Sequence, residues 1–507
     1  MNKTVVSTIL LSLIVTGILA VSVRGILGNP TISNLHDKYW ADDGPLELSP
    51  DRGRFALLYS VVEDKAVHFS VDVARFATPD VGYHKGQYVS LFAPGLSFLI
   101  IPGYLLGKIL GASQVGAYAV ISVFAVLNTC LIYLIARLIR ASHWAAWLGA
   151  LTFVFATPAF AYAVSLYQHH VSIFLFLLSL YCLIRWKGHW ASLLVVWLCV
   201  ACAVVVDYPN AVLFTPIILY TLYWTVAVIP KKDAFTLRIN PPAFISPIGI
   251  ILPLLFFMWF NQASYGNPWQ LVGTVPAVKA IDDQGQPAAA RSVDPSQEGK
   301  EAVNFFRTRN LLNGFIIHSI SLDRGTIIFA PVVLLGLFGI FFCYKNFPQV
   351  ASVLLGTIGA NILLYSMWGD PWGGWAFGSR YLIVSYALLS IFIALGLTAR
   401  KKNLVVAFVF FVLFSYSAAI NTLGALSTNT NPPQVEVLAL EKLSGVPQPY
   451  TYEHNYQYII SNHSKSFVWQ TFASSYLSAW QYYQIIAGII IAVGFAGTVL
   501  FVIYDRD

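Results

Sequence analysis

Long apolar runs alternate with short polar interruptions along the whole chain, and thirteen of the runs have about the 20-residue length that a helix needs to cross a bilayer. They are Val5–Val23, Ala93–Leu110, Val115–Ile139, Trp144–Val164, Val171–Trp186, Trp190–Val206, Ala211–Ile229, Ile245–Phe260, Thr326–Tyr344, Val350–Met367, Tyr381–Ala399, Leu404–Ile420 and Ile485–Tyr504. Each run is continuous rather than alternating, which excludes a membrane β-barrel. The pattern predicts an all-α polytopic membrane protein with about 12–14 transmembrane helices, folded as a single membrane-embedded domain over 1–507. Three long polar stretches remain as loops: 24–92, 261–325 and 421–484. In the first, the stretch from Phe55 to Val62 predicts a short helix lying at the membrane interface.

Composition strengthens this picture. With 57% hydrophobic and 10% charged residues among 507, the chain carries more apolar surface than a soluble core buries, so the lipid bilayer is a partner. The net charge of +7 reads as orientation markers rather than as a nucleic-acid surface, because the basic residues gather at segment ends. The first run, behind Met1-Asn2-Lys3, reads as a retained anchor rather than a cleaved signal. All five cysteines fall inside apolar runs, so no disulfide framework is expected, and the Cys199/Cys202 pair reads as packing.

Basic clusters mark the expected cytoplasmic ends: Arg137 with Arg140, Arg185 with Lys187, Lys231-Lys232 with Arg238, Lys345, and Arg400-Lys401-Lys402. They place the three long loops, and the turns 165–170, 207–210 and 368–380, on the opposite side. Lys3 puts the N-terminus on the basic side as well, so thirteen full crossings do not close: either Ala93–Leu110 does not fully span, or another crossing lies nearby, or one basic cluster is not an orientation marker. Ala93–Leu110 carries Pro94-Gly95 and Pro102-Gly103, and broken helices at membrane depth need protein or a cavity to cover the freed backbone. An even number of crossings is therefore expected.

Candidate chemistry lies in the loops. Asp51 is the favoured catalytic acid, because it opens a helical stretch, Asp51-Arg52-Gly53-Arg54-Phe55, in which a glycine permits close approach. A dipole-stabilising acid is the alternative there, and a plain turn acid is the alternative for Asp80, whose neighbours His84 and Lys85 add cationic character. Most other acids of this loop, Asp42 and Asp43 among them, read as solvated surface. Arg324 and Arg380 break the positive-inside pattern, and an arginine pressed against a segment start wants an acid or a phosphate, from substrate or ordinary lipid. His169 and Asp207 occupy short turns on the same side. There is no phosphate-binding Gly-rich loop, no H-E-x-x-H and no convincing metal-ligand spacing, so nucleotide-dependent cytosolic chemistry is not expected. Asn462-His463-Ser464 has the form of a glycosylation acceptor.

These residues, in this order, resemble the GT-C superfamily of multi-span glycosyltransferases, in the bacterial branch related to dolichyl-phosphate-mannose-protein mannosyltransferases. The resemblance runs through Asp51, Arg54, Phe55, Glu63 and Asp64, then Tyr88 with Ala93-Pro94-Gly95-Leu96-Ser97, a histidine before the fifth run, and Asp207-Tyr208-Pro209. It continues through Tyr265-Gly266-Asn267-Pro268, Arg324-Gly325 ahead of Ala330-Pro331, and Trp368-Gly369-Asp370 leading to Gly378-Ser379-Arg380-Tyr381-Leu382. It implies transfer of a sugar from a polyprenyl-phosphate carrier to a glycan, lipid or protein acceptor on the non-cytoplasmic side of the plasma (inner) membrane. It implies that Asp51 acts as base or metal contact; with the residue chemistry above, Arg54, Asp80, His84, Lys85, His169, Asp207, Arg324, Asp370, Arg380 and Tyr381 are the candidate substrate-binding residues. A divalent metal stays open as cofactor. Many relatives carry an acid just before Ala-Pro-Gly; this chain reads Leu91-Phe92-Ala93, so that acid's role does not carry over. A charged leaving phosphate needs cations more than a general acid, and a single base opposite it predicts inversion at the anomeric carbon. The competing readings are a polyprenyl-lipid transporter or flippase, which predicts charges inside spans and repeated halves that the sequence lacks, and a non-catalytic scaffold.

Overall fold

The computed structural model of the protein describes residues 3–36, 40, 44–231, 234–288 and 306–505. Lys232 of the basic clusters and the loop acids Asp37, Asp42 and Asp43 lie outside the described residues.

Among the described residues eight helices are long and apolar enough to cross a membrane: Lys3–Ser22, Ser113–Leu138, His169–Trp186, Pro241–Tyr265, Pro348–Ser366, Arg380–Ala399, Leu404–Leu426 and Ala479–Tyr504. Other sequence-marked runs are shorter or interrupted. His143–Phe155 resumes after Pro158 as Ala159–Ala163, Asn210–Leu213 gives way to Thr215–Thr225 at Pro216, and Thr326–Phe329 reaches Gly336–Asn346 through a tighter coil beginning at Pro331. Proline removes a backbone donor and clashes with the preceding turn, which is why the breaks fall there. Small residues set the closest helix contacts, as lipid-embedded packing requires. A Cβ on Gly149 would stand 2.6 Å from the Ser390 carbonyl, and one on Gly396 would stand 3.1 Å from the backbone of Gly339.

The 93–110 stretch is not one continuous helix but two short ones, Gly95–Leu99 and Ile101–Ile109. Both ends are held by the first loop. Ser97 Oγ donates to the Arg54 carbonyl at 3.0 Å, Lys108 pairs with Glu63 at 2.7 Å, and the Gly28 N–H donates to the Gly111 carbonyl at 2.8 Å. The first and last helices end close together on the basic face. There Ser7 Oγ and His143 Nε2 share a 2.8 Å hydrogen bond, and Ser142 Oγ donates to Asp505 at 2.6 Å.

The first loop is a packed subassembly. The Ser49–Tyr59 helix was expected at an interface, yet Phe55, Ala56, Leu57 and Leu58 have no exposed surface. Its apolar residues run consecutively around the helix, so no polar face remains to meet water, and neighbouring loop elements cover it. The Val71–Ala77 helix and a hairpin, Val81–His84 with Gln87–Ser90, pack beside it. Ala277–Val278 of the second loop adds a third strand at Val81 and Gly82. Lys85 and Gly86 form the two-residue tip, both with positive φ (50° and 81°), the backbone that lets a short turn match the twist of its strands. A second hairpin, Val226–Lys231 with Ala234–Ile239, lies on the basic face.

Candidate active site

Asp51 sits in the first turn of the Ser49–Tyr59 helix with 1% exposure, and its Oδ1 accepts the Leu166 N–H at 3.2 Å. Burial, reinforced by the nearby Glu47 carboxylate, pushes the Asp51 carboxyl up to about 7 against the opposing pull of Arg54, Arg24 and Arg380. A carboxyl in that range exchanges protons near neutrality.

One helical turn on, Arg54 donates from Nη1 to the Pro50 carbonyl at 3.0 Å and from Nη2 to Gln168 Oε1 at 2.5 Å. Gln168 passes the connection on, donating from Nε2 to Asp207 Oδ2 at 3.0 Å. Burial raises the Asp207 carboxyl, while the Gln168 hydrogen bond, Arg54 and Arg380 oppose the rise. The Arg54 guanidinium lies 4.5 Å above the Phe92 ring and 5.4 Å from the Tyr167 ring. Arg380 approaches the same Tyr167 ring at 5.3 Å and that of Tyr381 at 5.5 Å, so two guanidiniums flank one phenol. Tyr167 stacks on His169 with centroids 5.9 Å apart and planes 7° apart, and Tyr381 stacks on Tyr365 at 4.2 Å.

The cluster thus joins the first loop, the 165–168 turn, the end of Trp190–Val206 and the start of Arg380–Ala399. Tyr167 Oη, His169 Nε2 and Arg380 Nε are buried there with no hydrogen-bond partner among the described residues. Buried polar groups are normally satisfied, so three orphans beside two cations mark a place for an anionic or hydroxylated ligand. An apolar cavity of about 610 Å3 adjoins the cluster. Phe98, Phe124, Phe174 and Phe256 line it, as do Val171, just after the His169-His170 pair, and Val206, just before Asp207. Among the described residues no three His, Cys, Asp or Glu side chains converge as a metal site would need.

The other sequence candidates sit elsewhere or are already engaged. Arg324 is fully buried, and its guanidinium donates to the carbonyls of Trp372, Asp323, Gly374 and Asn431 at 2.8–3.1 Å, which makes it a clamp for the 372–374 turn. Asp370 is exposed and caps the same turn, accepting from the N–H groups of Trp372 and Gly374. Asp80 accepts from Ser49 Oγ at 2.5 Å and so steadies the start of the Asp51 helix. His84 shares a 3.1 Å hydrogen bond with the Tyr265 carbonyl and Lys85 donates to it at 3.4 Å, capping a helix end away from the cluster. Gly53 was expected to admit a ligand, but a Cβ there would stand 2.5 Å from the Phe92 ring, so it admits the ring that supports Arg54. Asn462 of the glycosylation pattern accepts from the Ala479 N–H at 2.9 Å.

Sequence reasoning missed Tyr167 and Gln168, for which the only signal was their place beside the flagged histidines. It also missed a buried ionic knot. Glu47 pairs with Arg24 at 3.1 Å and Lys465 at 3.3 Å, and it accepts from Thr428 Oγ1 and the Asn429 N–H, all at 3% exposure or less for the three ions. Burial alone would raise the Glu47 carboxyl; Lys465, Arg24 and those two donors hold it below its ordinary value.

No protein-family model and no curated protein matches the chain. Among solved structures, the chain is similar to ArnT from Cupriavidus metallidurans bound to undecaprenyl phosphate, at 12% identity over 98% of this chain and 76% of that one, with a TM-score of 0.49. The apo ArnT structure gives 12% identity over 98% and 75%, with a TM-score of 0.47. The archaeal oligosaccharyltransferase AglB from Archaeoglobus fulgidus, in complex with an inhibitory peptide and a dolichol-phosphate, gives 12% over 97% and 56%, with a TM-score of 0.40.

Proposed function

We propose that the chain is a glycosyltransferase that moves a sugar from a polyprenyl-phosphate carrier to an acceptor hydroxyl, with inversion. The observation that carries this reading is the Arg54–Tyr167–Arg380 sandwich. It sets two guanidiniums and buried, unpartnered donors beside a carboxyl poised near neutrality, next to an apolar cavity. A polyprenyl phosphate has those two parts: a hydrocarbon tail for the Phe98–Phe256 cavity and a phosphate for the arginines.

The acceptor oxygen attacks the anomeric carbon from the face opposite the phosphate. Its proton passes to the Asp51 carboxylate, and the bond from the anomeric carbon to the phosphate oxygen breaks with its electron pair left on the phosphate. Arg54, Arg380 and the Tyr167 hydroxyl stabilise that charge, while Asp207, through Gln168, holds Arg54 in register. The positive-inside asymmetry supports a site on the non-cytoplasmic side, in a plasma (inner) membrane on this reading, because Arg137, Arg140, Arg185, Lys187, Lys345 and Arg400–Lys402 share the opposite face.

The test is transfer by the reconstituted chain from polyprenyl-phosphate donors carrying a hexose or a pentose. Asp51→Asn is expected to abolish transfer, with wild-type elution and melting retained. Normal transfer by that variant would refute the Asp51 assignment, and a product of retained anomeric configuration would refute inversion.

A further inference from the structure

A second cavity, of about 530 Å3, opens on the basic face, far along the bundle from Asp51. Its cations come from separate connections: Arg140 follows the Ser113–Leu138 helix, and Arg185 and Lys187 close the His169–Trp186 helix. Tyr220, Tyr223 and Trp224 form the opposing wall, and among the described residues no acid lines the cavity. Among the described residues none of the three cations has an ion-pair partner; Arg140 only rests its guanidinium 5.7 Å over the Phe347 ring.

Orientation marking and helix dipoles explain cations in the last helical turn, and Arg137 and Arg185 already occupy those positions. They do not explain Arg140 and Lys187, which adopt left-handed backbone (φ 69° and 40°), where glycine or asparagine is the usual choice and other residues pay about 1 kcal/mol. Both strained positions carry a cation into the same cavity. The aromatic wall, together with the half-exposed Trp186 and Trp190 nearby, is the belt found at headgroup depth.

We infer that this cavity binds the phosphate headgroup of an anionic phospholipid from the leaflet on the basic face. The headgroup bridges the 139–142 and 186–189 connections, tying together the basic-face ends of helices whose other ends carry His169 and the Tyr167 turn.

The purified full-length chain in neutral detergent is titrated with phosphatidylglycerol, phosphatidylcholine and sodium pyrophosphate, and binding is read from the melting temperature. The variant Arg140→Gly/Lys187→Gly removes both cations while giving glycine to the two left-handed positions, so its lipid-free melting temperature is expected to match or exceed that of the wild type. Its phosphatidylglycerol affinity should fall on the order of 30-fold, equivalent to about 2 kcal/mol for two cations near a headgroup. A control, Arg400→Gln/Lys401→Gln/Lys402→Gln, strips three cations from another connection of the same face and should bind within about threefold of the wild type. Equal response to phosphatidylcholine, equal loss in the control, or undiminished binding by the glycine variant overturns the proposal. Pyrophosphate binding as tightly as the lipid would reassign the cavity to a soluble anion and overturn the lipid as well.

Discussion

At the scale of single residues, the buried Asp51 carboxyl connects stability and activity with opposite signs. Its pKa stands near 7 in the folded chain and near the ordinary carboxylate value, about 4, in the unfolded one, so between those values the folded state holds more protons. Stability from this group is therefore lost as pH rises through that window. The base form needed for transfer fills over the upper part of the same window. Transfer by the wild type should rise with pH and level off above about 7, and Asp51→Asn, neutral throughout, should melt at pH 8 no lower than the wild type while transferring nothing. A variant with an unchanged pH profile and partial activity would show that Asp51 is structural. Gln168 offers a second check. Gln168→Leu strips Arg54 and Asp207 of a shared partner, and transfer should fall roughly 100-fold through misplacement of the guanidinium, with Asn at that position restoring less than the full rate because it is one methylene short. The sequence made Asp51 visible as an acid opening a helical stretch, Arg380 as a cation on the wrong side, His169 and Asp207 as polar residues of short turns, and Arg54 and Tyr381 through the resemblance, and these are the residues that converge. It could not separate them from Arg324, Asp370 and Lys85, because engagement by backbone carbonyls and turn amides depends on the folded path and leaves no composition signal.

At the scale of elements, most of the spans were legible because a crossing helix needs a long apolar run and little else. Ala93–Leu110 was the exception: its hydropathy fits a span, and only the topology count and its Pro-Gly pairs spoke against one. In the structure the stretch breaks before Pro102 and packs on the Ser113–Leu138 helix, where a Cβ on Gly103 would collide with the Gly116 carbonyl, with both ends bonded to the first loop. Single cysteines report the path directly. Lys65→Cys in the first loop and Leu110→Cys, at a position 71% exposed, should react from the same side of sealed vesicles with a membrane-impermeant maleimide, and Arg140→Cys only from the other. The native cysteines, within helices and mostly buried, give a low background. Labelling of Leu110→Cys together with Arg140→Cys would restore a crossing at 93–110. The loop-face hairpin was hidden for a different reason: a Lys-Gly tip carries no strong turn signal, and its third strand comes from almost 200 residues away, Val81 pairing with Val278.

At the scale of the whole molecule, the Arg24–Glu47–Lys465 knot joins the end of the first helix to the first loop and to the last, with Arg24 also donating to Asn429, 405 positions away. Such a separation is invisible to local pattern, and the residues read individually as unremarkable loop charges. Their burial makes them consequential. Removing Glu47 leaves two cations facing each other without water, a situation that costs about 3–5 kcal/mol in comparable buried pairs. Glu47→Gln should therefore lower the melting temperature while keeping the shape of the side chain. The same substitution acts on the active site, because the Glu47 charge is one of the influences that raise the Asp51 carboxyl. With that charge gone and Arg24 left uncompensated, the Asp51 pKa drops, and the rising limb of the transfer profile moves to lower pH. A melting temperature that falls with a limb that stays in place would make the knot a fastening alone. Movement of both would mean that the ion pair closing the fold also sets the proton affinity of the base, and that the two cannot be altered independently.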